Sequence, residues 1–83
     1  MKGTRMERGL VTEVKEARRL PPPAAAKSIR TRAGVSQERL AAELQVHRVT
    51  VARWESGLRQ PRGALRAAYA ALLLELQKEV GWE

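Results

Sequence analysis

Between Ser36 and Gly57 the chain reads SQERLAAELQVHRVTVARWESG, and no other stretch limits its fold as strongly. The first part, SQERLAAEL, sets Leu40 and Leu44 at helical spacing. Ser36 is a favourable N-cap for such a helix, and Glu38 falls in the first turn, near the positive end of the dipole. Gln45 and Val46 then interrupt the pattern. A second helical pattern follows over residues 48–56 and stops at Gly57, a residue suited to the left-handed position beyond a helix end. Two helices this short must cross and bury Leu40, Leu44, Val46, Val51 and Trp54. Ala41 falls where they approach closely, so a larger side chain there would push them apart.

The flanks supply the other helices of an all-α chain. Residues 1–9 read as a frayed end. Leu10, Val11, Val14, Ala17 and Leu20 form a weak stripe that predicts a short helix over residues 10–19, with Thr12 as N-cap and Glu13 in its first turn. Pro21, Pro22 and Pro23 end that helix, because proline disfavours helix in the residue before it. The same run opens the next helix, expected over residues 23–33 with Gly34 beyond its end. Residues 58–62 form a loop around Pro61, and a last helix spans residues 63–79. The expected organisation is a basic arm over residues 1–22 and one compact domain over residues 23–80, built on the core motif at 36–57. No strand pattern or internal repeat competes with this reading.

Composition narrows the chemistry. Eighty-three residues make one small domain with a thin core, and roughly 40% of the surface of so short a chain stays wet. There is no cysteine, which excludes disulfides and thiolate metal sites. One histidine and no aspartate leave little for catalysis or a metal cage, so neither cofactor nor metal is expected. No Gly-rich phosphate loop or nucleophile–base pair is present, so the chain does not read as an enzyme. The N-terminus lacks the apolar core of a signal peptide and no stretch is long enough to span a bilayer, which suggests a cytoplasmic, nucleoid-associated location.

The net charge of +7 is unevenly placed. Residues 1–35 carry nine Lys/Arg against three Glu, residues 36–63 five against three, and residues 64–83 two against three. The basic end suits a polyanion and the other end suits protein packing. Twelve of the sixteen cations are Arg, which favours phosphate and guanine contacts; a GC-rich genome would give the same bias.

The residues Ile29-Arg30, Ala33-Gly34, Ser36-Gln37, Leu40-Ala41, Leu44, Val46, Val51, Trp54-Glu55 and Gly57 together resemble the phage-repressor (Cro/C1, XRE-type) helix-turn-helix family, over residues 23–75. The run LPPPAAAKSIRTRAGVSQ, with the later WESGLRQPRG, is also similar to small actinobacterial and actinophage members. The resemblance implies a lambda-repressor-like bundle of four or five helices. Its second motif helix would lie in the major groove of double-stranded DNA. The chain departs from the family pattern twice. Gln45 stands where Gly is frequent, so a positive φ there would carry modest strain. His47 stands where Ser or Thr is commoner. Imidazole is the poorer N-cap, so His47 is either placed for DNA or a tolerated surface substitution.

The resemblance also assigns roles. The outward face near the start of the second motif helix reads bases, and here it carries Arg48, Val49 and Arg53, with His47 and Thr50 beside them. Arg bonds guanine O6 and N7 bidentately, and Val49 would pack on a thymine methyl. Arg53 has the alternative of touching phosphate only. Gln37 matches a glutamine that reaches the DNA backbone and braces a recognition-helix side chain. Ser36, Ser56, Arg59, Arg62 and Arg32 are the other phosphate candidates, with Lys27 a weaker one, since a basic helix face is often merely solvated. Related domains pair the positions of Arg30 and Glu55 as a partly buried ion pair, which makes those two structural. Trp54 reads as core.

In the last helix Leu65, Ala68, Tyr69, Leu72, Leu73 and Leu76 form a stripe that would close the core. Leu74 lies off it, and Val80 and Trp82 extend beyond. A homodimer through Leu73, Leu74, Leu76, Val80 and Trp82 is one explanation of this excess apolar surface. Cover by Leu10, Val14 and Ala17 of the same chain is the other. The leading reading is a sequence-specific transcription regulator of the phage-repressor or Cro type. The alternatives are an antitoxin or other protein-interaction module with DNA-binding autoregulation, and a recombination-directionality factor of a mobile element.

Overall fold

A computed structural model describes residues 20–81 of the chain, and these residues are all-helical. Four helices follow one another: α1 (Pro23–Arg32), α2 (Gln37–Leu44), α3 (Arg48–Ser56) and α4 (Gly63–Glu79). The expected helix over residues 10–19, with Thr12 and Glu13, lies outside the described residues, as does Trp82. Among the described residues no helix is long and apolar enough to cross a membrane.

The helix limits follow from local chemistry. Pro23 opens α1, where a missing N–H costs nothing. At its far end the Gly34 amide donates to the Thr31 carbonyl at 3.0 Å and the Val35 amide to the Arg30 carbonyl at 3.2 Å, with Gly34 at φ +74°. This pair of bonds is the Schellman closure. The Ser36 hydroxyl starts α2 by accepting from the Arg39 amide at 3.0 Å. A second such closure ends α2, with the Val46 amide donating to the Ala41 carbonyl at 2.9 Å and Gln45 in the left-handed region at φ 59°, ψ 43°. That conformation costs a residue with a Cβ about 1 kcal/mol relative to glycine.

The core holds Ala26 and Ile29 of α1, Leu40 and Ala41 of α2, Val51 and Trp54 of α3, and Tyr69 and Leu73 of α4. Leu20, Val35, Leu44, Val46, Leu72 and Leu76 pack around it. The rings of Trp54 and Tyr69 meet at its centre, 4.7 Å apart and tilted by 40°. The Tyr69 hydroxyl is buried without a hydrogen-bond partner among the described residues. Burial, reinforced by the charge of Glu55, pushes its pKa up to about 12.

Two expectations for α4 are corrected. Leu73, expected at a dimer interface, is wholly buried beneath α4, so it belongs to the core of one chain. Leu65 and Ala68, expected in the core stripe, are exposed, and Ala70 is buried instead. The helix lies against α1 and α2 with Tyr69, Ala70 and Leu73 buried, and Tyr69 also meets Trp54 of α3. Leu74 and Val80 remain exposed, while Leu76 is partly buried.

Candidate nucleic-acid interface

The interface grows out of a polar chain that starts in the core. Arg30 and Glu55, both buried, form a two-point ion pair. Arg30 donates from Nε to Oε2 at 2.6 Å and from NH2 to Oε1 at 3.0 Å. The third guanidinium nitrogen donates to the Val35 carbonyl at 2.8 Å, so each nitrogen of the buried cation has an acceptor. The hydrogen bonds from Arg30 to Glu55 raise the Arg30 pKa further above its ordinary value.

Glu55 has a second task that the sequence did not disclose. Its Oε1 also accepts from Gln37 Nε2 at 3.0 Å. A carboxylate only accepts, so it turns the Gln37 amide with its nitrogen inward and its oxygen outward. That oxygen accepts from Arg48 NH1 at 3.1 Å. The chain Arg30–Glu55–Gln37–Arg48 thus runs from α1 through α3 and α2 back to the exposed start of α3. Gln37, first met as a phosphate candidate, is engaged with protein at both ends of its side chain.

The start of α3 is capped by His47, whose Nδ1 accepts from the Val49 amide at 3.3 Å. The imidazole therefore serves as the N-cap despite being a poorer one than Ser or Thr. Along the helix, His47, Arg48 and Arg53 are exposed, and Val49 and Thr50 are partly buried. Val51, Trp54 and Glu55 face inward. At the far end the Ser56 hydroxyl donates to the Arg53 carbonyl at 3.1 Å and accepts from the Leu58 amide at 3.4 Å. In the free chain its hydroxyl thus closes the turn at the end of α3. Ser36 uses only its oxygen as a cap and keeps its hydrogen.

Thr50, Arg53, Trp54, Arg59, Gln60, Pro61, Arg62 and Leu65 line a groove of about 510 Å³ between α3 and the start of α4. It gathers three arginines, Arg53 from α3 and Arg59 and Arg62 from the loop before α4. Pro61, buried, anchors the loop that carries two of them. Gln60 joins this groove without having been singled out in the sequence. Arg32, at the exposed end of α1, does not line it, and neither does Lys27.

Two short helices meet across the Gln45 turn, and the second presents an arginine face beside a basic groove. A helix-turn-helix family profile matches residues 27–73, more than half of the chain. The chain belongs to the XRE-type helix-turn-helix family. No curated protein and no solved structure gives a significant match. This helix-turn-helix chain carries a domain of a DNA-binding kind, with α2 and α3 as its motif helices and α1 and α4 as its support.

Proposed function

We propose that this helix-turn-helix protein is a sequence-specific transcription regulator of the phage-repressor or Cro kind, acting in the cytoplasm on double-stranded DNA. The observation that carries the reading is the bracing of Arg48 by Gln37 on the exposed start of α3. An arginine held at one nitrogen approaches a guanine edge with less freedom to lose, and orientation is what a bidentate O6/N7 contact needs. Arg53, Val49 and Thr50 complete the base-reading face. Arg59 and Arg62 hold phosphate from the groove, with Ser36 and Arg32 beside the adjoining strand. Regulation follows from occupancy of the site, by blocking or recruiting polymerase.

A homodimer completes the proposal. Leu74 on α4 and Val80 just past its end, both exposed, are the apolar patch available for it among the described residues. A two-fold dimer of this kind reads half-sites about 34 Å apart. The same patch favours the second reading, an antitoxin-like module that holds a protein partner and regulates its own synthesis.

The test is selection of duplexes from a random library by the purified chain and by Arg48→Ala. A palindrome with a G·C position that the variant ignores is expected, with a loss of about 1–3 kcal/mol at that position. Unchanged base preference in Arg48→Ala would refute the assignment. Salt-sensitive binding without any sequence preference would transfer the weight to the protein-partner reading.

A further inference from the structure

The cap at the start of α3 fixes more than the helix. The Val49 amide can only donate, and its partner is His47 Nδ1 at 3.3 Å. Nδ1 therefore carries no proton, and the neutral ring holds its proton on Nε2. The residue sits in extended backbone, at φ −76° and ψ 146°, with its side chain exposed. A serine or threonine cap would offer an oxygen to the same amide but no ring-length donor beyond it.

We propose that His47 is a donor-only contact on DNA, its Nε2–H bonding an acceptor on the duplex, either a purine N7 or a phosphate oxygen. The inference rests on the DNA-binding reading above and adds the polarity of the contact. A capping His47 does not accept from the amino groups of adenine or cytosine, because its one acceptor nitrogen is held by Val49. Its neighbour Arg48 has the same polarity, and one of its N–H groups already donates to the Gln37 oxygen beside it. Two consecutive residues at the tip of α3 thus offer hydrogens and no lone pairs. The matching base edge is rich in acceptors, and guanine with N7 and O6 presents two.

The test uses the full chain, His47→Ser, and the duplex recovered by library selection. Serine keeps a good cap, so the variant remains folded. Long-range nitrogen–proton NMR of the imidazole in the free protein, in mildly alkaline buffer, is expected to place the proton on Nε2. A proton on Nδ1 overturns the proposal. On DNA, His47→Ser is expected to bind about five-fold more weakly, the effect of one net hydrogen bond. For a purine N7 contact, replacing one purine by its 7-deaza analogue weakens the unaltered chain by a similar factor and leaves His47→Ser unaffected. For a phosphate contact, the loss in His47→Ser is equal on every sequence and no deaza position is special. Equal affinity of His47→Ser and the unaltered chain on all duplexes overturns the contact while leaving the DNA reading intact. No binding by the unaltered chain overturns both, and that result does not depend on residue 47.

Discussion

Glu55→Gln is the substitution that tests the interior most sharply. The Glu55 carboxylate accepts from Arg30 Nε at 2.6 Å, Arg30 NH2 at 3.0 Å and Gln37 Nε2 at 3.0 Å. The side chains of Arg30 and Glu55 retain only 8% and 3% exposure. Glutamine has the same shape but a single acceptor oxygen. With that oxygen at the Oε2 position, its amino group faces both Arg30 NH2 and Gln37 Nε2. In the flipped orientation it faces Arg30 Nε. Either way at least one donor is stranded, and the Arg30 cation loses its counter-charge in a buried site. Breaking such a pair costs about 3–5 kcal/mol. The bond from Arg30 to the Val35 carbonyl survives, which puts the expected loss near the lower end, about 3 kcal/mol. A domain of this size has a total stability of about 3–9 kcal/mol, so a third or more of it would go. Urea unfolding should show a lower midpoint at unchanged m-value, and the melting temperature should fall by about 15 °C. The companion variant Arg30→Met with Glu55→Leu removes both charges and should recover most of the loss. A Glu55→Gln stability within about 0.5 kcal/mol of the original would refute the reasoning, since surface substitutions give that much.

Three further outcomes follow from single observations. Gln45→Gly should stabilise the fold by about 1 kcal/mol in thermal unfolding, because Gln45 has positive φ at the α2 end; a loss would mean that its side chain outweighs the backbone strain. Tyr69→Phe removes a buried hydroxyl without a partner and should leave stability unchanged or raise it by about 1 kcal/mol at neutral pH. The raised Tyr69 pKa favours the protonated phenol in the folded state, so its contribution is full below about pH 10 and is lost as pH rises toward 12. After allowance for screening this amounts to no more than about 2 kcal/mol, and an alkaline stability profile should lack that decline in Tyr69→Phe. Arg59→Ala and Arg62→Ala should each weaken binding to all DNA alike and reduce the salt slope by about one; a change confined to one base position would assign base contact instead.

The helix ends were legible in the sequence because their signals are local. Pro23, Gly34, Ser36 and Gly57 each act within a turn of their own position, and α1, α2 and α3 begin or end within a residue of where these place them. The facing of α4 was only partly legible. Its run ALRAAYAALLLEL is apolar nearly all round, so sequence spacing gives little direction, and packing on α1 and α2 decides the rotation that buries Ala70 and exposes Leu65. The bonds of Gln37 were harder still. Its partners lie eleven and eighteen residues away, and no local pattern marks a carboxylate that serves two helices at once. The arginine groove was visible only as separate charges until the loop at Pro61 folded them together.

The central tie between stability and recognition is the orientation of one amide. Glu55 is buried to hold Arg30, and a domain could meet that need with no connection to its surface. Here the same carboxylate reaches Gln37, whose other end reaches Arg48. Because a carboxylate cannot donate, the Gln37 oxygen must face outward, and an outward oxygen holds a cationic donor rather than repelling it. The interior charge thereby sets which polarity the recognition surface can brace. A neutral acceptor–donor side chain in place of Glu55 would leave the amide free to flip and would lose that control. An apolar pair of similar volume could serve stability as well, but it would not orient the Gln37 amide that holds Arg48.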